Sequence, residues 1–197
     1  MHDLFLQYDL SAIETRLWEL LHESVQSFKA PFHTGVIATL HEQQPEVRTV
    51  VLRHADAVQK KLFFHTDIRS PKVQQLQMHP QISWLFYDKD IRMQLRLTGT
   101  AILHADDEVA NDAWEQSRLS SRLTYTTSSA SGTVLVTPEL INLNQQEVPA
   151  ELIDIAWKNF CVVETTIHQL DWVFLHHSGN RRALFDYITN QFQWIQV

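Results

Sequence analysis

Residues 92–104, Arg-Met-Gln-Leu-Arg-Leu-Thr-Gly-Thr-Ala-Ile-Leu-His, decide how the chain is read. Met93, Leu95 and Leu97 alternate with Gln94, Arg96 and Thr98, the period of two that lets a strand bury one face and wet the other. Residues 35–41, 47–53, 61–66 and 82–88 share its wealth of Val, Ile, Leu, Phe, Tyr and Thr, as strands should. Short polar turns join these stretches, which points to an antiparallel barrel or sandwich. Residues 160–168, 171–177 and 182–187 read as three further strands, the last two linked by Ser178-Gly179-Asn180-Arg181.

Helices flank this β pattern. Residues 11–29 carry Ile13, Leu17, Leu21 and Val25 at four-residue spacing, and Ser11 with Glu14 fits a capping box. Residues 106–117, with Trp114, and 149–158 read as two more helices. Between the third and fourth strands, Ser70 suits an N-cap, Pro71 a first helical position and Pro80 a stop. A two-turn helix therefore starts at Ser70 with Lys72 in its first turn. Residues 124–149 read as a surface loop with one short strand or helical turn at most. No repeat or linker divides the 197 residues, so one domain over 1–197 is expected.

Composition narrows the chemistry. Sixteen basic against 23 acidic side chains leave a formal charge of −7, a poor basis for holding nucleic acid or an anionic membrane. The longest apolar run is four residues, too short to span a bilayer. Met1-His-Asp-Leu-Phe5 lacks the basic start and apolar core of an export signal, and one cysteine excludes an internal disulfide framework; a cytoplasmic setting is expected. Eleven scattered histidines contain no H-E-x-x-H, and His176 and His177 on one strand face opposite ways, so no metal site is expected. Cys161, within Phe-Cys-Val-Val, reads as a core thiol.

Only four glycines occur, none close enough to another for a P-loop or a G-x-G-x-x-G turn. Any phosphate must then be held by side chains and a helix start. Lys72 alone reads as a solvated lysine. With Ser70 at a helix N-terminus, facing a strand that carries Arg48, it reads as a glycine-free phosphate cradle. Arg48 and Arg53 stand five apart and so on opposite faces of their strand. Gln94 can donate and accept at once, which suits the edge of a heteroaromatic ring, although a wet strand face explains it equally. By composition alone, Trp172 and Arg182 are an interior aromatic and an exposed charge.

Five ordered motifs carry a resemblance: Arg48-Thr-Val-Val-Leu-Arg53, Phe63-Phe-His-Thr66, Ser70-Pro-Lys72, Trp84-Leu-Phe-Tyr87 and Gln94-Leu-Arg-Leu-Thr-Gly99. In order and spacing they resemble the pyridoxamine 5′-phosphate oxidase-like flavoproteins, and Asp171-Trp-Val-Phe-Leu with Arg182-Ala-Leu-Phe is similar to that family's closing strands. The resemblance implies an FMN-binding split β-barrel and a homodimer with flavin at the subunit interface. It implies that Arg48 and Lys72 bind the FMN phosphate with help from Ser70. The backbone of Thr49, Val50, Val51 and Leu52, with Arg53 closing the motif, runs along the flavin. His65 and Thr66 line the cleft, Gln94 bonds the isoalloxazine, and Trp172 and Arg182 come from the partner chain.

Departures from the family pattern concern the substrate. Arg53 replaces a lysine, Pro71 an arginine and Trp114 a tyrosine, while Arg118 and Ser121 are kept. The Arg-x-His signature ahead of the flavin arginine reads Ser178-Gly179-Asn180. Losing two charge-assisted partners of a substrate phosphate, each worth roughly 1.5–3 kcal/mol, argues against pyridoxamine phosphate as substrate. The expectation is an FMN-dependent oxidoreductase acting on another small molecule or electron donor. The alternatives are a non-catalytic FMN-binding or redox-sensing module and, less favoured, pyridoxamine 5′-phosphate oxidase itself.

Overall fold

The computed structural model describes residues 3–142 and 148–197. After a 3-10 turn at Asp3–Leu6 comes helix α1 (Leu10–Gln26). Its cap is Asp9, whose carboxylate accepts from the backbone N–H groups of Ser11 and Ala12. The expected Ser11–Glu14 box does not form, because Glu14 is turned inward to Lys60 at 2.7 Å.

The strands are β1 (Thr34–His41), β2 (Gln44–Val51), β3 (His54–Asp56), β4 (Lys61–Asp67), β5 (Gln81–Asp88), β6 (Met93–His104), β7 (Phe160–Phe174), β8 (Arg181–Asp186) and β9 (Gln191–Trp194). The remaining helices are α2 (Pro71–Met78), α3 (Glu108–Glu115), α4 (Leu119–Leu123) and α5 (Ala150–Asn159). Among the described residues all strands join one antiparallel sheet in the order β2-β1-β5-β6-β7-β4-β3, with β8 on β7 and β9 on β8. This is the mainly β, antiparallel architecture with flanking helices read from the sequence.

Two long strands create the split. β6 lies along β7 throughout, while the other edge of β7 changes partner: β4 pairs with residues 160–166 and β8 with residues 169–174. The expected strands 160–168 and 171–177 are therefore one. Their register against β6 shifts at Thr98/Gly99. A Cβ on Gly99 would stand 2.1 Å from the Thr166 carbonyl oxygen, so only glycine admits this close backbone approach. On the far side, β2 and β3 are nearly one run that leaves β1 after Val51 and joins β4 at His54. No ladder joins β2 to β4 among the described residues, so the sheet stays open along a seam.

The core lies inside this curved sheet beneath α1. Leu17, Trp18, Ile37, Phe64, Trp84, Phe86, Leu95 and Leu170 are fully buried there. A second cluster of Trp114, Ala156, Phe160 and Val162 sits under α3 and α5. β9 extends the sheet beyond the strands expected from sequence. In the stretch read as a loop, residues 124–142 contain neither strand nor helix, and α4 ends just before it; residues 143–147 lie outside the described residues. No described helix is long and apolar enough to cross a membrane.

Candidate functional site

At the seam two of the basic residues singled out from the sequence, Arg48 and Lys72, come close to each other. Ser70 occupies the N-cap position of α2 and Pro71 its first turn, as their chemistry dictates. The Ser70 side chain makes no capping bond and instead lies 3.4 Å from the Thr66 hydroxyl, both residues being buried. The Lys72 Nζ donates to Thr66 Oγ1 at 3.0 Å. The nearest carboxylate in sequence, Asp67, is committed to Arg69 at 2.7 and 3.0 Å.

Arg48 reaches the same place from β2. It pairs with Ile37, which pairs with Trp84, so its row faces inward. At the sheet's edge that position opens onto α2. Its guanidinium donates to the Thr39 hydroxyl, to the Glu46 carbonyl and carboxylate at 2.9 Å each, and to Gln75 Oε1 at 3.3 Å. Gln75 in turn donates to Glu46 at 2.9 Å. Burial, and after it the charge of Arg48, holds the Lys72 ammonium below its ordinary pKa, and burial lowers that of Arg48. Arg48 stays charged and has Glu46 as counter-ion, whereas Lys72 has only hydroxyls bonded to it. It is therefore at Lys72, beside the hydroxyls of Thr66 and Ser70, that an anion would relieve the cost of burial. This donor set fits a phosphate.

The neighbouring strand residues suit a flat ligand. Thr49, Val50 and Val51 lie on an edge strand, which leaves alternate backbone polar groups unpaired on its outer side. Leu52 is buried, and its N–H is already given to the His33 carbonyl. Arg53 is exposed. Burial, and then the charge of Arg53, drives His65 down to about 4, so the ring is neutral at pH 7. His65 meets Phe160 edge-on at 5.0 Å between ring centres, and Tyr125 meets the same ring from another direction at 5.3 Å. Burial pushes the Tyr125 phenol up to about 12.

Gln94, Trp172 and Arg182 lie elsewhere. Gln94 pairs with Val173, which pairs with Arg182, placing Gln94 and Arg182 in one row on the outer face, two strands apart. Arg182 holds Asp171 through two bonds of 3.0 and 2.8 Å, and Arg96 grips the same carboxylate. Trp172 departs from its expected role as a flavin contact offered to a partner. Strand alternation turns it inward, fully buried beside Phe5 and Phe174. Trp114 is likewise interior, stacked beneath Arg122, and Arg118 is exposed.

Sequence reasoning missed the polar support behind Arg48, namely Thr39, Glu46 and Gln75. No sequence signal marks them, because Thr39 and Gln75 are brought to Arg48 only by the fold. Sequence reasoning also missed Tyr125 and Arg69. Among the described residues no three His, Cys, Asp or Glu side chains come together as a metal site.

The structure is thus an open antiparallel β sheet with flanking helices and two neighbouring cations, Arg48 and Lys72, at its seam. Residues 15–105 match the family model described as pyridoxamine 5′-phosphate oxidase, FMN-binding domain, so the resemblance carried by the motifs is shown there, with FMN as that domain family's cofactor. Pyridoxine/pyridoxamine 5′-phosphate oxidase of Escherichia fergusonii is 34% identical over 95 residues, 47% of this chain and 43% of that protein. The enzyme of the same name from Caulobacter vibrioides is 36% identical over 74 residues, 38% of this chain and 32% of that one. The chain thus matches less than half the length of these curated relatives. Over the whole fold it is similar to a pyridoxamine 5′-phosphate oxidase-related, FMN binding protein of Nostoc punctiforme (TM-score 0.70, 20% identity, 93% of this chain and 96% of that one). It is also similar to PhzG of Burkholderia lata in complex with tetrahydrophenazine-1-carboxylic acid (TM-score 0.66, 14% identity, 97% and 93%). These likenesses establish the split-barrel fold.

Proposed function

We propose that this chain is a cytoplasmic, homodimeric FMN-dependent oxidoreductase whose substrate is not pyridoxamine phosphate. The observation that carries the reading is the seam: Lys72, bonded to a threonine hydroxyl rather than a carboxylate, beside Arg48, whose charge it feels. Arg48 and Lys72 bind the phosphate, Ser70 and Thr66 supply hydroxyls, and the edge of β2 lies along the ring. When bound, FMN supplies hydride and electron transfer. The chain need supply orientation and charge, not an acid or base. His65, neutral at pH 7, adds no third cation to the cleft.

The second group of residues supports a dimer. Gln94 and Arg182 face outward on β6 and β8, and among the described residues neither joins the hydrogen bonds around Arg48 and Lys72, which favours a second copy as their route to the flavin. Beside them runs an apolar groove of about 490 Å³ that crosses from β2 to β8, lined by Val36, Ala38, Val47, Leu85 and Leu184, with Arg96 and Asp171 at its side. A second copy laid on this face would carry its Gln94 and Arg182 to the first chain's flavin. The substrate reading follows from the turn before β8, where Ser178, Gly179 and Asn180 are exposed and offer no cation of their own for a second phosphate.

The test is the absorption spectrum of freshly purified protein, followed by addition of NADH or NADPH and a panel of acceptors. A yellow, dimeric protein that bleaches and turns over is expected. Colourless protein that ignores added FMN contradicts the reading, and flavin that binds but never turns over favours a binding module.

A further inference from the structure

We propose that residues 124–139 form a hinged cover over the Lys72 seat and that Arg69 is the latch that sets how fast a phosphorylated ligand enters and leaves. The inference rests on the reading of Lys72 as a phosphate ligand. Its observation is a cavity of about 470 Å³ with Thr66, Asp67, Lys72 and Tyr125 as floor and the stretch from Thr127 to Glu139 as roof. The roof is rich in hydroxyls, and Gly132, at φ +92°, lies over the first turn of α2, where a Cβ would be 3.6 Å from Pro71.

Polar contacts hold this roof. Arg69 grips Asp67 with one side of its fork, then reaches Thr127 through its carbonyl at 3.1 Å and hydroxyl at 3.3 Å, and the Ser128 carbonyl at 3.3 Å. The Glu139 carboxylate closes the neck, accepting from the Ser128 N–H at 2.7 Å and hydroxyl at 3.1 Å, and from the Ser129 N–H at 3.4 Å. Val134 and Val136 stand almost fully exposed, and only Leu135 and Pro138 turn toward the cavity, so little apolar packing anchors the tip. A segment with a closed neck, polar tethers and little apolar packing belongs at the low-stability end of local opening. Its start is firmer, since Asn159 Nδ2 donates to the Tyr125 carbonyl at 2.9 Å. Opening therefore hinges near Tyr125 and releases at Arg69. Arg69 is a positioning residue, because it acts on the ligand only through the loop.

The experiment follows FMN fluorescence during rapid mixing and displacement, using apo full-length parent, Arg69→Met, Arg69→Lys and Glu139→Gln, with hydrogen exchange of loop amides alongside. Losing the latch should speed both association and dissociation about tenfold in Arg69→Met, by the loss of several charge-assisted bonds. The affinity should change much less, and exchange over 127–135 should rise. Arg69→Lys should fall between, and Glu139→Gln, an exposed change that leaves folding intact, should also speed exchange. If the parent binds FMN but the variants keep its rates and loop protection, the cover is overturned while the phosphate reading stands. Because Arg69→Met also frees Asp67 beside Lys72, the deciding variants are Arg69→Lys and Glu139→Gln, which leave Asp67 a cation. Weakened affinity with slower association in these would make the segment a direct ligand and overturn the latch. A parent that takes up no FMN overturns both.

Discussion

Two lysines of this chain have been pulled out of water in different company. Lys60, under α1, meets the Glu14 carboxylate at 2.7 Å and lies against the rings of Trp18 and Tyr187 at 5.1 and 5.3 Å. Tyr187 donates to that same carboxylate and accepts from the Trp18 indole. Every polar group there has its partner within the chain, so the cluster is a staple joining α1 to the β3–β4 turn and the end of β8. Lys72 at the seam has a hydroxyl where Lys60 has a carboxylate, and an arginine nearby as well. The difference is one of pairing. Lys60 has a carboxylate of its own. Lys72 bonds only a hydroxyl, and the carboxylate at the seam, Glu46, is held by Arg48, which is why the proposed function seats an outside anion beside Lys72.

Removing Glu14 should break the staple hardest. Glu14→Ala leaves Lys60 half-buried without its counter-charge, and denaturant unfolding should show a loss of about 3 kcal/mol. FMN affinity of the folded protein should be unaltered. A fall in affinity would mean that the two regions are not separate.

The pH profile tests the seam next. His65 titrates near 4 in the fold against the ordinary value of about 6.5, so the unfolded chain binds more protons between those values. Stability should therefore fall as pH drops from about 6.5 to 4, by up to about 3 kcal/mol from this residue. His65→Gln should flatten that part of the profile. A parent profile that is already flat there would contradict the burial of the ring.

Lys72→Met should act in the opposite sense to Glu14→Ala. It removes a desolvated charge that no carboxylate pairs, so unfolding free energy should hold or rise by up to about 1 kcal/mol, while FMN affinity drops by about 1.5–3 kcal/mol. Gln94→Ala should do least. It costs about 1 kcal/mol of FMN affinity if a partner's Gln94 bonds the ring, and leaves the melting temperature alone.

Much of this was legible because local chemistry specified it. Ser70 and Pro71 start α2, and the alternation of Met93, Leu95 and Leu97 sets the faces of β6, whatever the rest of the fold does. The continuity of β7 was hidden because its first half is buried on both faces, from Phe160 to Thr165, and so does not alternate. Its outer side there is covered by α3 and α5, a tertiary fact that no period reports. Trp172 shows the same limit. Spacing in a motif places it near a flavin arginine, whereas alternation with half-buried neighbours turns it into the core. The Arg48 and Lys72 pair was readable from a scarcity of glycine and a helix start. The groups that hold Arg48 in place, Thr39 on the next strand and Gln75 on α2, meet it only through the sheet register.

The most direct test of the account compares FMN with riboflavin, which lacks the phosphate, on the apo parent and on Lys72→Ala. The parent should prefer FMN strongly, and the variant should lose most of that preference while binding riboflavin as the parent does. An undiminished preference for FMN in Lys72→Ala would place the phosphate somewhere other than the seam.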